Sequence, residues 1–216
     1  MHLLKQVCDS LWDAHQSGLV HRDIKPSNLV ACRMGLAADF MKVLDFGLVK
    51  ASSDTRRDGP ELTSPDVTTG TPTFMAPEIA VGGRPVDSRA DIYALGCVAF
   101  WMLTGRNVFE GPTSIAILTQ HVRDAPPAPS TLSETGIPPE LDRIVLECLA
   151  KDPDDRPESA IELFRRLDAC PVQPWTAERA RQWWELHIPE SEVAELEATD
   201  RSIIGSEPTI ALLREE

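Results

Sequence analysis

The sequence has no surplus of positive charge: 21 Lys and Arg stand against 34 Asp and Glu, a formal net charge of −13. Nonspecific binding to nucleic acid or to an anionic membrane needs clustered cations, so neither is expected, and partners should be neutral or basic. Closely spaced cysteines are lacking too. Cys8, Cys32, Cys97, Cys148 and Cys170 are odd in number and widely scattered. That excludes a disulfide framework or close-spaced zinc ligands and predicts reduced, buried thiols. There is no long hydrophobic run, since the longest, residues 92–103, is too short to span a bilayer and reads as a buried helix. The first residues enter an amphipathic pattern directly, without a basic segment, apolar core and cleavage site. No signal peptide is expected, and the chain is expected to be cytoplasmic.

What is present is enough for one domain with a core, or a domain plus a short extension: 216 residues, 42% of them apolar. Leu3, Leu4, Val7, Cys8, Leu11 and Ala14 recur at three- and four-residue spacing, predicting a helix over 3–15 that Gly18 ends. Two β-prone runs, 28–32 and 41–44, flank a Gly-containing turn and predict a hairpin. Residues 49–70 are rich in Ser, Thr, Asp, Pro and Gly without periodicity, which predicts a long surface loop. A helix capped by Asp87 or Ser88 runs to about Thr104 with Gly105 as its stop, and it is apolar nearly all round, the mark of a central helix. Further helices are predicted over 114–122, 139–150, 158–168 and 176–187, the last carrying Trp183 and Trp184.

The chemistry-bearing residues cluster early. His21-Arg22-Asp23-Ile24-Lys25-Pro26-Ser27-Asn28 is followed by Asp45-Phe46-Gly47 after the predicted hairpin. Taken singly, Asp23 would be an ordinary turn or capping residue. The six fixed positions of the first string, each met by chance at about one in twenty, arise together at roughly one start site in 10^7 to 10^8. The set resembles the catalytic loop and magnesium loop of protein kinases, and in particular the eukaryotic-like Ser/Thr protein kinases of bacteria. The likeness runs over residues 1–170, with a catalytic loop at 21–28 and an activation segment at 45–78. Residues 171–189 are expected to form a Trp-containing helical extension and 190–216 an acidic, solvated and disordered tail.

The resemblance implies a mainly α fold: a kinase-like C-terminal lobe with a short β-hairpin at the catalytic edge. It implies ATP and Mg2+ as cofactors and a protein Ser/Thr hydroxyl as acceptor. Asp23 would accept the hydroxyl proton, Lys25 would offset γ-phosphate charge, and Asn28 and Asp45 would hold the metal. Val30 resembles the apolar floor of the adenine pocket, while His21 and Phe46 resemble members of the packed column linking the two lobes. Gly70-Thr71-Pro72-Thr73-Phe74-Met75-Ala76-Pro77-Glu78 is similar to the end of the activation segment, with Glu78 expected to pair with Arg156. Asp91 resembles the helix-borne carboxylate that holds the catalytic-loop backbone. Lys25, with Thr71 opposite it in the family's geometry, points to Ser/Thr specificity. Arg22 matches members whose loop is ordered by phosphorylation, which makes Thr63, Ser64, Thr68 and Thr69 candidate acceptors. Trp175, Trp183 and Trp184 resemble a short post-kinase extension and are expected to pack against the kinase helices.

Other parts of the family pattern are lacking. No G-x-G-x-x-G turn precedes the catalytic loop and no V-A-x-K lysine is present. The N-terminal lobe is therefore expected to be missing, and three readings stay open. The chain is a Ser/Thr kinase portion, inactive alone, whose start is recorded too late or which is a fragment. Alternatively it is a kinase remnant serving as a protein-binding or regulatory module, with a partner covering the face that lobe would occupy. The third reading, an unrelated helical protein, is the one the motif set opposes most strongly.

Overall fold

The computed structural model describes residues 1–35, 37–46 and 72–188, and the backbone of 209–211. Its architecture is mainly helical with one small antiparallel sheet. Helix α1, His2–Gln16, buries Leu4, Val7, Cys8 and Leu11 along one face, and Gly18 follows its end at φ 74. That left-handed conformation costs a non-glycine residue about 1–2 kcal/mol, so glycine is the natural stop.

Strands β1, Leu29–Met34, and β2, Ala37–Val43, pair in the register Leu29↔Val43 to Cys32↔Phe40, with an irregularity between Cys32 and Met34. Both strands run longer than the sequence pattern predicts. Helices α2, Pro77–Val81, and α3, Arg89–Thr104, follow. Residues 90–100 of α3 are buried without a break, so the helix has no solvent face, and Gly105 caps it at φ 68. Helices α4, Ser114–Arg123, α5, Pro139–Cys148, α6, Ala160–Asp168, and α7, Ala177–His187, complete the helical set. Hydroxyls of Thr113, Ser159 and Thr176 cap α4, α6 and α7 by accepting backbone N–H groups of the first turn. Strand β3, Thr209–Ala211, pairs antiparallel with β1 from Val30↔Ala211 to Cys32↔Thr209. The outer edge of β1 offers unpaired main-chain donors and acceptors, and an extended segment satisfies them whatever its side chains.

A single core joins α1, α3, α5 and α6 with Ile24, Leu29 and Met41. All five cysteines are unpaired and buried, Cys148 with its thiol pushed up to about 12, chiefly by burial. Cys148 also shows why α3 carries a glycine mid-helix. A Cβ placed on Gly96 would stand 2.7 Å from the Cys148 Cβ. Gly96→Ala is therefore expected to lower stability by about 1–3 kcal/mol, read as a drop in the urea unfolding midpoint. An unchanged midpoint would contradict this close approach of α3 and α5.

Candidate functional site

The string from His21 to Asn28 leaves α1 and turns through a short helical turn, Pro26–Asn28, into β1. Proline at the first position of that turn supplies the right φ and has no N–H to leave unpaired. Three side chains converge at its head. Asp23 Oδ2 lies 2.9 Å from Lys25 Nζ and accepts from Asn28 Nδ2 at 3.1 Å. Asn28 Nδ2 also donates to the Asp23 carbonyl at 2.8 Å, which fixes the loop across five residues. The Asp23 side chain keeps 47% exposure despite these contacts, so its carboxylate remains open to solvent.

The loop reaches Asp45 through backbone bonds. Leu44 N–H donates to the Asn28 carbonyl at 2.8 Å, and the Leu44 carbonyl accepts from His21 Nε2 at 2.8 Å. His21 Nδ1 accepts from Asp23 N–H at 3.3 Å, so both ring nitrogens are engaged, one by the loop and one by Leu44. Phe46 packs on that ring at 4.8 Å between centroids. Asp45 is exposed and adopts φ 56, and Arg22 adopts φ 64. These are the two non-glycine residues with positive φ among the described residues. Each such conformation costs on the order of 1–3 kcal/mol and needs surrounding contacts to hold it.

Asp91 supplies those contacts for Arg22. Wholly buried in α3, it accepts from Arg22 N–H at 2.7 Å through Oδ1 and from His21 N–H at 2.8 Å through Oδ2. His15 Nε2 donates to the same Oδ2 at 2.8 Å. Sequence reasoning missed His15, although a signal existed: it lies four residues beyond Leu11 on the buried stripe of α1. The burial of a carboxylate inside an apolar helix is thus matched by three donors.

A second buried charge ties the segment after residue 71 to the lobe. Arg156 NH1 and NH2 donate to Glu78 Oε1 and Oε2, each at 2.8 Å, in the parallel two-bond geometry that suits guanidinium and carboxylate. The remaining donors go to the carbonyls of Ala150, Arg89 and Lys151, at 2.8, 2.9 and 3.1 Å. All five guanidinium protons are therefore used. The charge also rests over the Tyr93 ring, 4.8 Å from its centroid.

Val30 is buried on β1. Gly47 and Thr71, and the candidate phosphosites Thr63, Ser64, Thr68 and Thr69, lie outside the described residues. The tryptophans also reach the hairpin. Helix α7 sits on β2, and the indole N–H groups of Trp175 and Trp184 both donate to the Asp39 carboxylate. Trp184 is buried, with the Arg33 guanidinium 5.4 Å over its ring, whereas Trp183 stays 42% exposed. The sequence pattern shows aromatics at helical spacing but not the carboxylate on β2 to which two of the indoles donate.

His121 lies wholly buried on α4 beneath Thr73, its Nδ1 accepting from the Tyr93 hydroxyl at 2.8 Å. Burial, then the Lys151 charge, lowers its pKa to about 4. Below pH 6.5 the unfolded chain binds a proton at this position that the folded chain refuses. Stability is therefore complete above about 6.5 and falls as pH drops towards about 4, by about 3 kcal/mol in total. A His121→Gln variant should flatten the urea midpoint across that window; an equally steep dependence in the variant would place the titration elsewhere.

A loop clamped from a central helix thus presents an aspartate, a lysine and an asparagine beside a second exposed aspartate. The chain matches the family "Protein kinase domain" over residues 1–166 and belongs to it. It is 38% identical over 183 residues to the serine/threonine-protein kinase pkn3 of Myxococcus xanthus, covering 79% of this chain and 33% of that protein. It is 39% identical over 163 residues to PknB of Mycolicibacterium smegmatis, covering 76% and 25%, and 44% identical over 163 residues to Pkn1 of M. xanthus, covering 76% and 22%. The chain thus spans a third or less of the length of these bacterial relatives. Among the described residues no helix is long and apolar enough to cross a membrane.

Proposed function

We propose that these residues form the catalytic face of a Ser/Thr protein kinase, which transfers the γ-phosphoryl group of ATP to protein hydroxyls. The observation that carries this reading is the Asp23 carboxylate, half exposed yet held by Lys25 and Asn28 on a loop anchored to Asp91. In that arrangement Asp23 takes the proton from the attacking hydroxyl, and Lys25 moderates the charge on the transferred group. Asn28 commits Nδ2 to Asp23, which leaves Oδ1 as its acceptor, and the Asp45 carboxylate is exposed. Amide and carboxylate oxygens are the hard donors that Mg2+ prefers, so these two residues fit the ion. Bound there, Mg2+ would supply charge neutralisation on the phosphates. Val30 would floor the adenine site. Arg22, exposed next to Asp23, would receive a phosphate carried by residues 63–69. Use of ATP as donor suits a cytoplasmic reaction.

The 216 residues contain neither a G-x-G-x-x-G turn nor a V-A-x-K lysine, the groups that cover and pair the ATP phosphates in this family. Residues 1–216 alone are therefore expected to bind a target without turning over ATP. The lobe at 1–170 becomes a catalyst when those groups are supplied. The test compares phosphate incorporation from ATP and Mg2+ into a Ser/Thr protein by residues 1–216 alone and by the same residues joined to the N-terminal lobe of a relative. No incorporation alone, and Asp23-dependent incorporation when joined, is the expected pair of results. Asp23-dependent turnover by 1–216 alone would overturn the inactive half of the proposal, and an inert but folded joined protein would favour the binding module.

A further inference from the structure

Away from the catalytic loop, a cavity of about 730 Å3 lies between the start of α1, residues 172–175 and α7. Neither residues 21–28 nor 45–46 line it. Its size is that of a small-molecule site. Leu3, Met102, Leu141 and Leu167 contribute apolar walls from the lobe, and the indoles of Trp183 and Trp184 close it from α7. The polar groups around it are few and differ in state. Lys5 and Asp168 neutralise one another at 2.7 Å, and Asp39 is engaged by two indole N–H groups. Arg179 is different. It is exposed at the cavity with its guanidinium 5.2 Å from the Trp175 ring centroid, and its one hydrogen bond among the described residues goes to the Pro174 carbonyl at 3.3 Å. No carboxylate among the described residues pairs with it.

An apolar chamber with an exposed guanidinium beside it, unpaired with any carboxylate among the described residues, is complementary to a molecule with one apolar chain and one negative end. We propose that this cavity binds a free single-chain carboxylate of the fatty-acid type, with its chain in the chamber and its head on the Arg179 guanidinium. A bilayer is a poor alternative source, because the chain carries a net charge of −13 and would be repelled by anionic headgroups. The ligand would fill the space between α7 and the lobe, adding apolar contact to the Asp39 staple that already joins them. This site is independent of the phosphoryl-transfer reading, and it takes up ligand whether or not the chain turns over ATP.

Three tryptophans line the cavity, which provides the assay. The 216-residue chain is titrated with 12-bromododecanoate below its micelle concentration, where the bromine quenches indoles on contact. Saturable one-to-one quenching, competed by dodecanoate, is expected. Octanoate should compete about 250-fold more weakly, from a factor of roughly four per methylene. Arg179→Gln, a surface change that spares the fold, should weaken dodecanoate about two- to fivefold while leaving dodecanol unaffected. Leu141→Phe, which narrows the chamber, should abolish saturable quenching. Absence of saturable quenching in the unaltered chain would overturn the site. Equal loss of dodecanol and dodecanoate in Arg179→Gln would overturn the assignment of the head, and persistence of quenching in a folded Leu141→Phe chain would overturn the place.

Discussion

Arg156→Met is expected to lower the unfolding free energy by about 3–5 kcal/mol, a large part of what a domain of this size possesses. The side chain it removes is fully buried and uses every one of its donors. The variant strands the Glu78 carboxylate at 8% exposure and leaves the carbonyls of Ala150, Arg89 and Lys151 without that donor. Desolvation of the orphaned charge dominates, because a lost neutral hydrogen bond costs only about 1 kcal/mol. The double variant Glu78→Leu/Arg156→Met should accordingly recover part of the loss, since a buried ion pair and an apolar pair of similar volume often differ little. Urea midpoints of the two single variants and the double give the coupling. A drop under 1 kcal/mol for Arg156→Met, or strict additivity, would show that the pair is not the anchor its geometry describes. The functional consequence concerns α2, which begins at Pro77 directly after the turn Pro72–Phe74: without Glu78 in place, that segment loses its tie to α3 and to the turn before α6.

Asp91→Asn should have the second largest effect, and it should reach activity as well as stability. An amide in place of the carboxylate can accept from one loop N–H but presents its own N–H2 to the other, so one of the bonds to His21 and Arg22 is lost. The charge-assisted bond removed is worth about 1.5–3 kcal/mol. Arg22 is then left at φ 64 with half of its restraint, and relaxation of the loop moves Asp23, the next residue. A displacement near 1 Å at a reacting group costs about a hundredfold in rate, which is the expected loss in kcat for the joined kinase. Arg22→Gly in the Asp91→Asn background should restore part of the stability, because glycine adopts positive φ without strain. If Arg22→Gly gives no more stability there than in the unaltered chain, Asp91 is not what holds the strained residue.

How far these features could be read from the sequence depends on how local they are. Each α-helix from α3 onwards was legible within two residues or so, because hydroxyl caps, prolines at first positions and Gly105 are signals carried by the chain itself. The turn from His21 to Asn28 was legible for the same reason: its geometry comes from one tight turn whose residues are neighbours. Short α2 was not anticipated, since five residues show too little periodicity to register. Partnerships across the chain were legible only through family resemblance, as for Glu78 with Arg156, 78 positions apart. Where no resemblance guided the reading, the long-range partner was missed. His15 beneath Asp91 and Asp39 beneath the two indoles are polar residues whose roles exist only once distant elements meet. β3 was missed because strand addition is specified by the backbone of β1, not by its own side chains.

The most direct measurement of the central claim is the rate of phosphate transfer by the joined kinase and its Asp23→Asn variant, with kcat and KM for ATP determined separately. Asparagine preserves the shape and the contact with Asn28 but cannot take a proton, so kcat should fall about 10^2- to 10^4-fold while KM for ATP changes little. A kcat within a few-fold of the unaltered protein would contradict the account, because the carboxylate held by Lys25 and Asn28 would then have no part in the chemistry.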